Sequence, residues 1–218
     1  MKTILFDFDG VIIDSEYVIR AAFTLSYREF IGSGEPPVDE YLRNMGDSFP
    51  NIMRKMNLPI EMHEHFCSYS RRLINLVPLH AHVREVLDYF QSRGFKMGIV
   101  TGKDRMRTLE MLERHEIGHY FGTVVAGDDV SNPKPHAEPI LKALAELGAK
   151  PDDAIMLGDA DNDIMAARNA KVRSCAALWG VSSEEELRSV NPDYMVHDML
   201  SFQQLMMNQL QPVTASRD

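Results

Sequence analysis

The sequence predicts an α/β protein: a Rossmann-like parallel sheet covered by helices on both faces, with an all-helical domain inserted after the first strand. Three observations carry this. The apolar run Ile4-Leu5-Phe6 reads as a buried strand. From residue 79 onward, helical and strand-like periods alternate regularly, as in a parallel sheet wrapped by its crossover helices. Between residues 15 and 77 no strand pattern occurs, and roughly sixty residues of helix alone exceed a single crossover. The predicted division is therefore a core of residues 1–14 and 79–218 with a helical module at 15–78.

After Phe6, Asp7 and Asp9 stand two residues apart. Strand alternation sends both carboxylates to one side while Phe8 points away, and Gly10 lets the backbone leave the strand. Two acids forced together are costly unless a cation or a proton compensates them, and the carboxyl edge of an open α/β sheet is where ligands bind. Taken alone, the motif reads equally as a strand-ending turn with both acids in water. Tyr17, Ala21 and Leu25 mark a helix over residues 16–31, broken by Gly32-Ser33-Gly34-Glu35-Pro36-Pro37. Helical segments come next near 38–45, 48–56 and 61–77, and Pro78 closes the module. Val83, Val86, Leu87 and Phe90 form the next helix face, with Gly94 where a C-cap glycine belongs. Then come a strand at 96–101, a helix at 106–115, a strand at 123–126 and a helix at 137–147 ending in Gly148. A strand at 154–157, a helix at 161–169 and a strand at 172–178 complete the pattern. The tail, 212–218, is expected to be disordered.

The composition, 44% hydrophobic and 25% charged over 218 residues, is that of an ordinary globular chain. A formal charge of −9 and a pI near 5.4 argue against nucleic acid and anionic membrane as main partners. No apolar run approaches the roughly 18 residues that a membrane span needs. The chain enters a strand directly after Met1-Lys2-Thr3, so no secretory signal is expected. Cys67 and Cys175 lie far apart without metal-type spacing, which fits reduced thiols in the cytoplasm.

The residues just beyond the strands, taken together, are more specific than any one motif. The first strand ends in Asp7 and Asp9, the second in Thr101-Gly102-Lys103. Beyond the third lie Asp128-Asp129 and Asn132-Pro133-Lys134-Pro135, and the fourth ends in Gly158-Asp159-Ala160-Asp161-Asn162-Asp163. Asp7, Asp9, Asp159 and Asp163 bring as many as four negative charges to one edge. Mg²⁺, a hard cation that takes oxygen ligands, is the natural compensation where phosphate also binds. Lys134, its backbone restricted by the flanking prolines, supplies a point charge for phosphate. Thr101 offers a hydroxyl donor and Gly102 close backbone approach. Carboxylate, metal, lysine and hydroxyl around one small anion make a phosphoryl-transfer site.

These motifs, in this order, resemble the haloacid dehalogenase (HAD) superfamily, in the branch with a helical cap inserted after the first strand. The resemblance covers nearly the whole chain. It implies that Asp7 is a nucleophile forming an aspartyl-phosphate, and that Asp9 acts as general acid and then base while its backbone carbonyl touches Mg²⁺. It implies that Thr101 and Lys134 hold the transferring group. Asp159 would ligate the metal directly, and Asp163 through water or as a partner of the ligands. Asp9 and Asp159 argue against dehalogenation, and the Lys-Thr-Gly of P-type ATPases is absent. Gly158-Asp159 is similar to phosphoglycolate phosphatase and its neighbours. Val100-Thr101-Gly102-Lys103 and Ala176-Ala177-Leu178-Trp179-Gly180 are similar to phosphatases of aminohydroxybenzoate biosynthesis. The implied activity is a cytoplasmic, Mg²⁺-dependent phosphomonoesterase acting on a small phosphate ester, as a monomer or weak homodimer. A phosphomutase of the β-phosphoglucomutase type is the alternative.

In the module, Arg43 and Ser48 flank Gly46 and read either as a solvated turn or as a loop meeting the leaving group. Lys103 poses the same choice from the core side. Asp128 and Asp129 read as loop acids that can orient Lys134. His63 and Cys67 share a helix face with His65 well round from both, so they read as surface or packing residues. Asp14 and Ser15 mark the outgoing hinge, and His80 and His82 the return.

Overall fold

A computed structural model of the protein describes residues 2–210. The expectation for the tail at 212–218 lies outside the described residues. In chain order the elements are β1 (Thr3–Phe6), α1 (Glu16–Phe30), α2 (Val38–Arg43), α3 (Phe49–Lys55), α4 (Met62–Arg72) and α5 (Val83–Ser92). They continue with β2 (Lys96–Val100), α6 (Arg105–Arg114), β3 (Thr123–Val125), α7 (Glu138–Leu147) and β4 (Ala154–Gly158). The last are α8 (Asp161–Asn169), β5 (Arg173–Ala177), α9 (Glu184–Ser189), β6 (Tyr194–Val196) and α10 (Met199–Leu210). The strands form one parallel sheet in the order β3-β2-β1-β4-β5-β6. β1 is central and fully buried, which is why it is continuously apolar rather than alternating.

The sheet separates two apolar layers. Ile4, Phe6, Ile99 and Leu157 face one side with α5 and α10. Leu5, Val100, Val125 and Met156 face the other with α7 and α8. Three elements exceed the sequence expectation: the short helix α9, the three-residue edge strand β6, and α10 behind it. β6 is too short to show a period. Phe202 of α10 is fully buried, with its ring 6.1 Å from Phe6 and 5.8 Å from Phe90, both edge-on.

The module between β1 and β2 is entirely helical and has a core of its own. Phe23, Tyr41, Phe49, Ile52, Met53 and Phe66 fill it, with Tyr41 stacked on Phe23 at 4.5 Å. Its two connections run side by side. Ile13 bridges Leu79 antiparallel, the Asp14 amide donates to the Pro78 carbonyl at 3.0 Å, and the His80 amide to the Ile12 carbonyl at 3.0 Å. The predicted hinge residues therefore fall in or next to this short ribbon. Among the described residues no helix is long and apolar enough to cross a membrane.

Phe202→Ala should cost about 3–5 kcal/mol of stability, because it empties a fully packed site between α5, α10 and β1. Urea unfolding measures it; a loss under about 1 kcal/mol would show that α10 is dispensable to the core.

Candidate active site

β1, β2 and β4 are neighbours, so their carboxyl ends deliver their loops to one place. The centre is Lys134. It is fully buried, and its ammonium donates to Asp7 Oδ1 at 2.9 Å, Asp163 Oδ1 at 2.5 Å and the Val100 carbonyl at 3.1 Å. Burial alone would drive the proton off this lysine, but Asp163 and Asp7 outweigh it and hold the ammonium charged. Asp128 and Asp129 do not orient it. Arg105 occupies them instead, through its backbone amide to Asp128 at 2.8 Å and its guanidinium to Asp129 at 2.7 Å.

Asp159 is the third buried acid. Its Oδ2 accepts from the Val181 amide at 2.9 Å. Gly10 and Gly180 pack so closely on it that a β-carbon at either would overlap the carboxylate. Asp7, Asp159 and Asp163 each place an oxygen within 4.8 Å of the others. Burial, followed by Asp7 and Asp163, raises the Asp159 pKa well above the carboxylate range. Burial also raises Asp7, to about 7, against the pull of Lys134. Three buried carboxylates thus share one ammonium. Their hard oxygen donors and unbalanced charge fit a small dication such as Mg²⁺.

Asp9 belongs to a second charge pair. Ser15 leaves the start of α1 uncapped and donates its hydroxyl to Asp9 Oδ1 at 2.6 Å, while the Lys103 ammonium reaches Oδ1 at 2.9 Å and Oδ2 at 3.1 Å. Burial opposes ionisation of Asp9, but Lys103, Ser15 and Arg107 outweigh it and hold the carboxyl below its ordinary pKa. Asp7 and Asp9 therefore line one cavity with different cations. Thr101 and Gly102 line it too, and the Thr101 hydroxyl accepts from the Lys103 amide at 3.2 Å.

The module closes this cavity. A β-carbon on Gly102 would overlap the Asp47 carbonyl, so the Gly46-Asp47 loop rests directly on the core loop. Of the two candidates there, neither lines the cavity. Arg43 is exposed, in a cleft with Asp161 and Glu186, because it lies two residues beyond inward-facing Tyr41 and so on the opposite side of α2. Ser48 turns into the start of α3, its amide bound by Asp47 Oδ1 at 2.7 Å. Gly46, Asp47, Tyr41 and Phe49 line the cavity instead, with Arg107 from the core. Tyr41 and Arg107 were missed from sequence. The one signal for Arg107 is its i,i+3 spacing from Asp104, the N-cap of α6, whose Oδ1 accepts the Arg107 amide at 3.0 Å and whose Oδ2 accepts its Nε at 2.5 Å.

A model of the haloacid dehalogenase-like hydrolases matches residues 4–177. The chain belongs to this family. It is 32% identical over 212 residues to pyrophosphatase PpaX of Oceanobacillus iheyensis, covering 91% of this chain and 94% of that one. A hydrolase from Pseudomonas syringae superposes with a TM-score of 0.86 at 22% identity over 97% of this chain and 100% of that one. A predicted phosphoglycolate phosphatase from Haemophilus somnus gives 0.82 at 19% identity over 94% and 98%. As a haloacid dehalogenase-like hydrolase with curated relatives named pyrophosphatase, the protein is an enzyme of the phosphatase type.

His63 of α4 approaches Asp104 Oδ2 at 3.8 Å and Cys67 at 3.3 Å. Asp104, then Cys67, raise its pKa from 6.5 to about 9. A histidine whose pKa rises on folding adds stability that is complete below about pH 6.5 and disappears as pH climbs through about 9. Across that window the melting temperature of the wild type should fall more steeply than that of His63→Gln. Parallel slopes would remove the pair as a link between module and core.

Proposed function

We propose that the protein is a Mg²⁺-dependent phosphomonoesterase that hydrolyses a small phosphorylated metabolite through an aspartyl-phosphate on Asp7. The observation that carries this is the buried Asp7–Lys134–Asp163 group, with Asp159 beside it and Asp9 on a separate cation across the same cavity. Two carboxylates in one cavity with different partners suit two different roles.

In this reading one Asp7 oxygen attacks phosphorus. The bond from phosphorus to the leaving oxygen breaks, and that oxygen takes a proton from Asp9. Water then attacks the aspartyl-phosphate, returns a proton to Asp9, and frees phosphate and the Asp7 carboxylate. Lys134 and the Thr101 hydroxyl steady the transferring group. A dication held by Asp7, Asp159, Asp163 and the Asp9 backbone carbonyl would neutralise the attacking carboxylate and the phosphoryl oxygens.

Asp9 is ionised in the resting pairing with Lys103, so it must gain its proton on substrate binding. An incoming phosphate supplies the reason: it draws the Lys103 ammonium toward its own oxygens. That removes the largest influence holding Asp9 ionised and leaves burial to raise its pKa. Residues 15–78 serve as the cap, hinged on the ribbon of residues 12–14 and 78–80, and exclude water once closed.

In a screen of phosphorylated metabolites with Mg²⁺, at least one small ester should release phosphate, without isomerised product from hexose 1-phosphates. Asp7→Asn should lower that rate at least ~10³-fold; substantial remaining turnover would remove Asp7 as nucleophile. Asp159→Asn should raise the Mg²⁺ concentration for half-maximal activity by on the order of tenfold or more. An unchanged Mg²⁺ titration would place the metal elsewhere.

A further inference from the structure

We infer that Arg107 of the core and Tyr41 of the cap form a subsite for a second anionic group on the substrate, selecting esters whose leaving group is itself charged. The inference rests on the phosphatase reading of the same cavity and assigns its leaving-group side.

Arg107 is 8% exposed, a rare state for a side chain that cannot shed its charge. Its surroundings hold it rigidly. Asp104 takes its Nε at 2.5 Å, and its guanidinium lies over the Phe66 ring at 5.0 Å. That arrangement uses one of five donors. Among the described residues no protein acceptor meets either Nη nitrogen, although the side chain lines the cavity with Asp7, Asp9 and Lys103. An arginine fixed at Nε and open at its terminal nitrogens presents the fork that matches a carboxylate or phosphoryl group.

Tyr41 is the second observation, and it comes from the other domain. It is 5% exposed, stacks on Phe23, and lines the same cavity. Its hydroxyl has no hydrogen-bond partner among the described residues, and the side chain shares the cavity with Arg107 and Asp9. The hydroxyl is open to the cavity, where a substrate group can supply the partner that a tyrosine prefers. The cavity is small, about 40 Å³, and Arg107 shares it with Asp7, which favours a compact substrate carrying both charged groups. A phosphoanhydride and a short phosphorylated carboxylic acid both meet this condition.

The same guanidinium sets aside another use of these residues. His63, Cys67 and Asp104 lie close enough to hold a metal ion. However, Asp104 already spends Oδ2 on the Arg107 guanidinium and Oδ1 on the α6 backbone, and a dication there would face an arginine. Asp104 positions Arg107.

The test compares kcat/KM for pyrophosphate and for phosphoglycolate with kcat/KM for p-nitrophenyl phosphate, whose leaving group has no second anionic centre at that distance. Arg107→Met should reduce one or both ratios by on the order of tenfold or more; the two anionic substrates separate a phosphoryl from a carboxylate preference. Tyr41→Phe should reduce the same ratio less. A merely structural role would lower all three rates together, and that result would overturn the inference. If Arg107→Met does not accumulate as folded protein, Arg107→Lys decides. It keeps the charge beside Asp104 but loses the fork, and an unchanged ratio there overturns the subsite. Binding is read separately by calorimetry with imidodiphosphate and phenylphosphonate. Wild type should favour the former and Arg107→Met should lose that preference. Failure of wild type to hydrolyse any ester would sink the phosphatase reading alone, while equal binding of the two ligands by wild type would sink the subsite.

Discussion

The burial of Lys134 among Asp7, Asp163 and Asp159 is the constraint on which the rest of the structure depends. An unpaired ammonium or carboxylate at that depth would neutralise itself rather than remain charged. Each group therefore needs the others held in place. Removing one partner of such a cluster is far more damaging than never having built it. The sheet meets this demand by geometry. β1 and β4 pair in register and place Asp7 and Asp159 just beyond their ends, while Val100 at the end of β2 supplies a carbonyl for the lysine. The fold is a rigid mount for a charge cluster that is unfavourable by itself and useful for that reason.

Much of this was legible in the chain, and the physical reason is regularity. Strands that end in acids, a hydroxyl or a lysine recur at α/β spacing, and parallel sheets gather their carboxyl ends on one edge whatever the detailed packing. The positions of Asp7, Asp9, Thr101, Lys134, Asp159 and Asp163 are set by order alone. Order does not decide which charge meets which. Lys134 lies near Asp128 and Asp129 in sequence, yet its ammonium pairs with Asp7 and Asp163, while Arg105 at the start of α6 takes the loop acids.

The cap is the less legible half for a related reason. Charged residues near a glycine turn are easy to pick out, and Arg43 stands out on that ground. On a short helix the inward face is set by what packs, and Tyr41 stacks into the aromatic core, which turns Arg43 to solvent. Arg107 is the converse case. It sits on a core helix between exposed Met106 and buried Thr108, and Phe66 of the cap lies over its guanidinium. Residues defined by two domains meeting are not visible to a periodicity within either one.

In the proposed reaction, that dependence would give the cap a chemical role beyond exclusion of water. With the cap closed, Phe66 covers Arg107, Tyr41 faces it, and the Gly46-Asp47 loop seats on Gly102, leaving no room for a β-carbon. With the cap swung away on its two-stranded ribbon, Arg107 would return to water, where its attraction for an anion is weak. Lys103 and Asp9 belong to the core, so their pairing does not depend on closure. In the proposed reaction, closure would therefore strengthen anion binding at the leaving-group side at the moment when the substrate phosphate competes with Asp9 for Lys103. A substrate that drives closure through its own second charge would also drive Asp9 toward its acid form. Selectivity and catalysis would then draw on the same motion, and an ester with an uncharged leaving group would forfeit both.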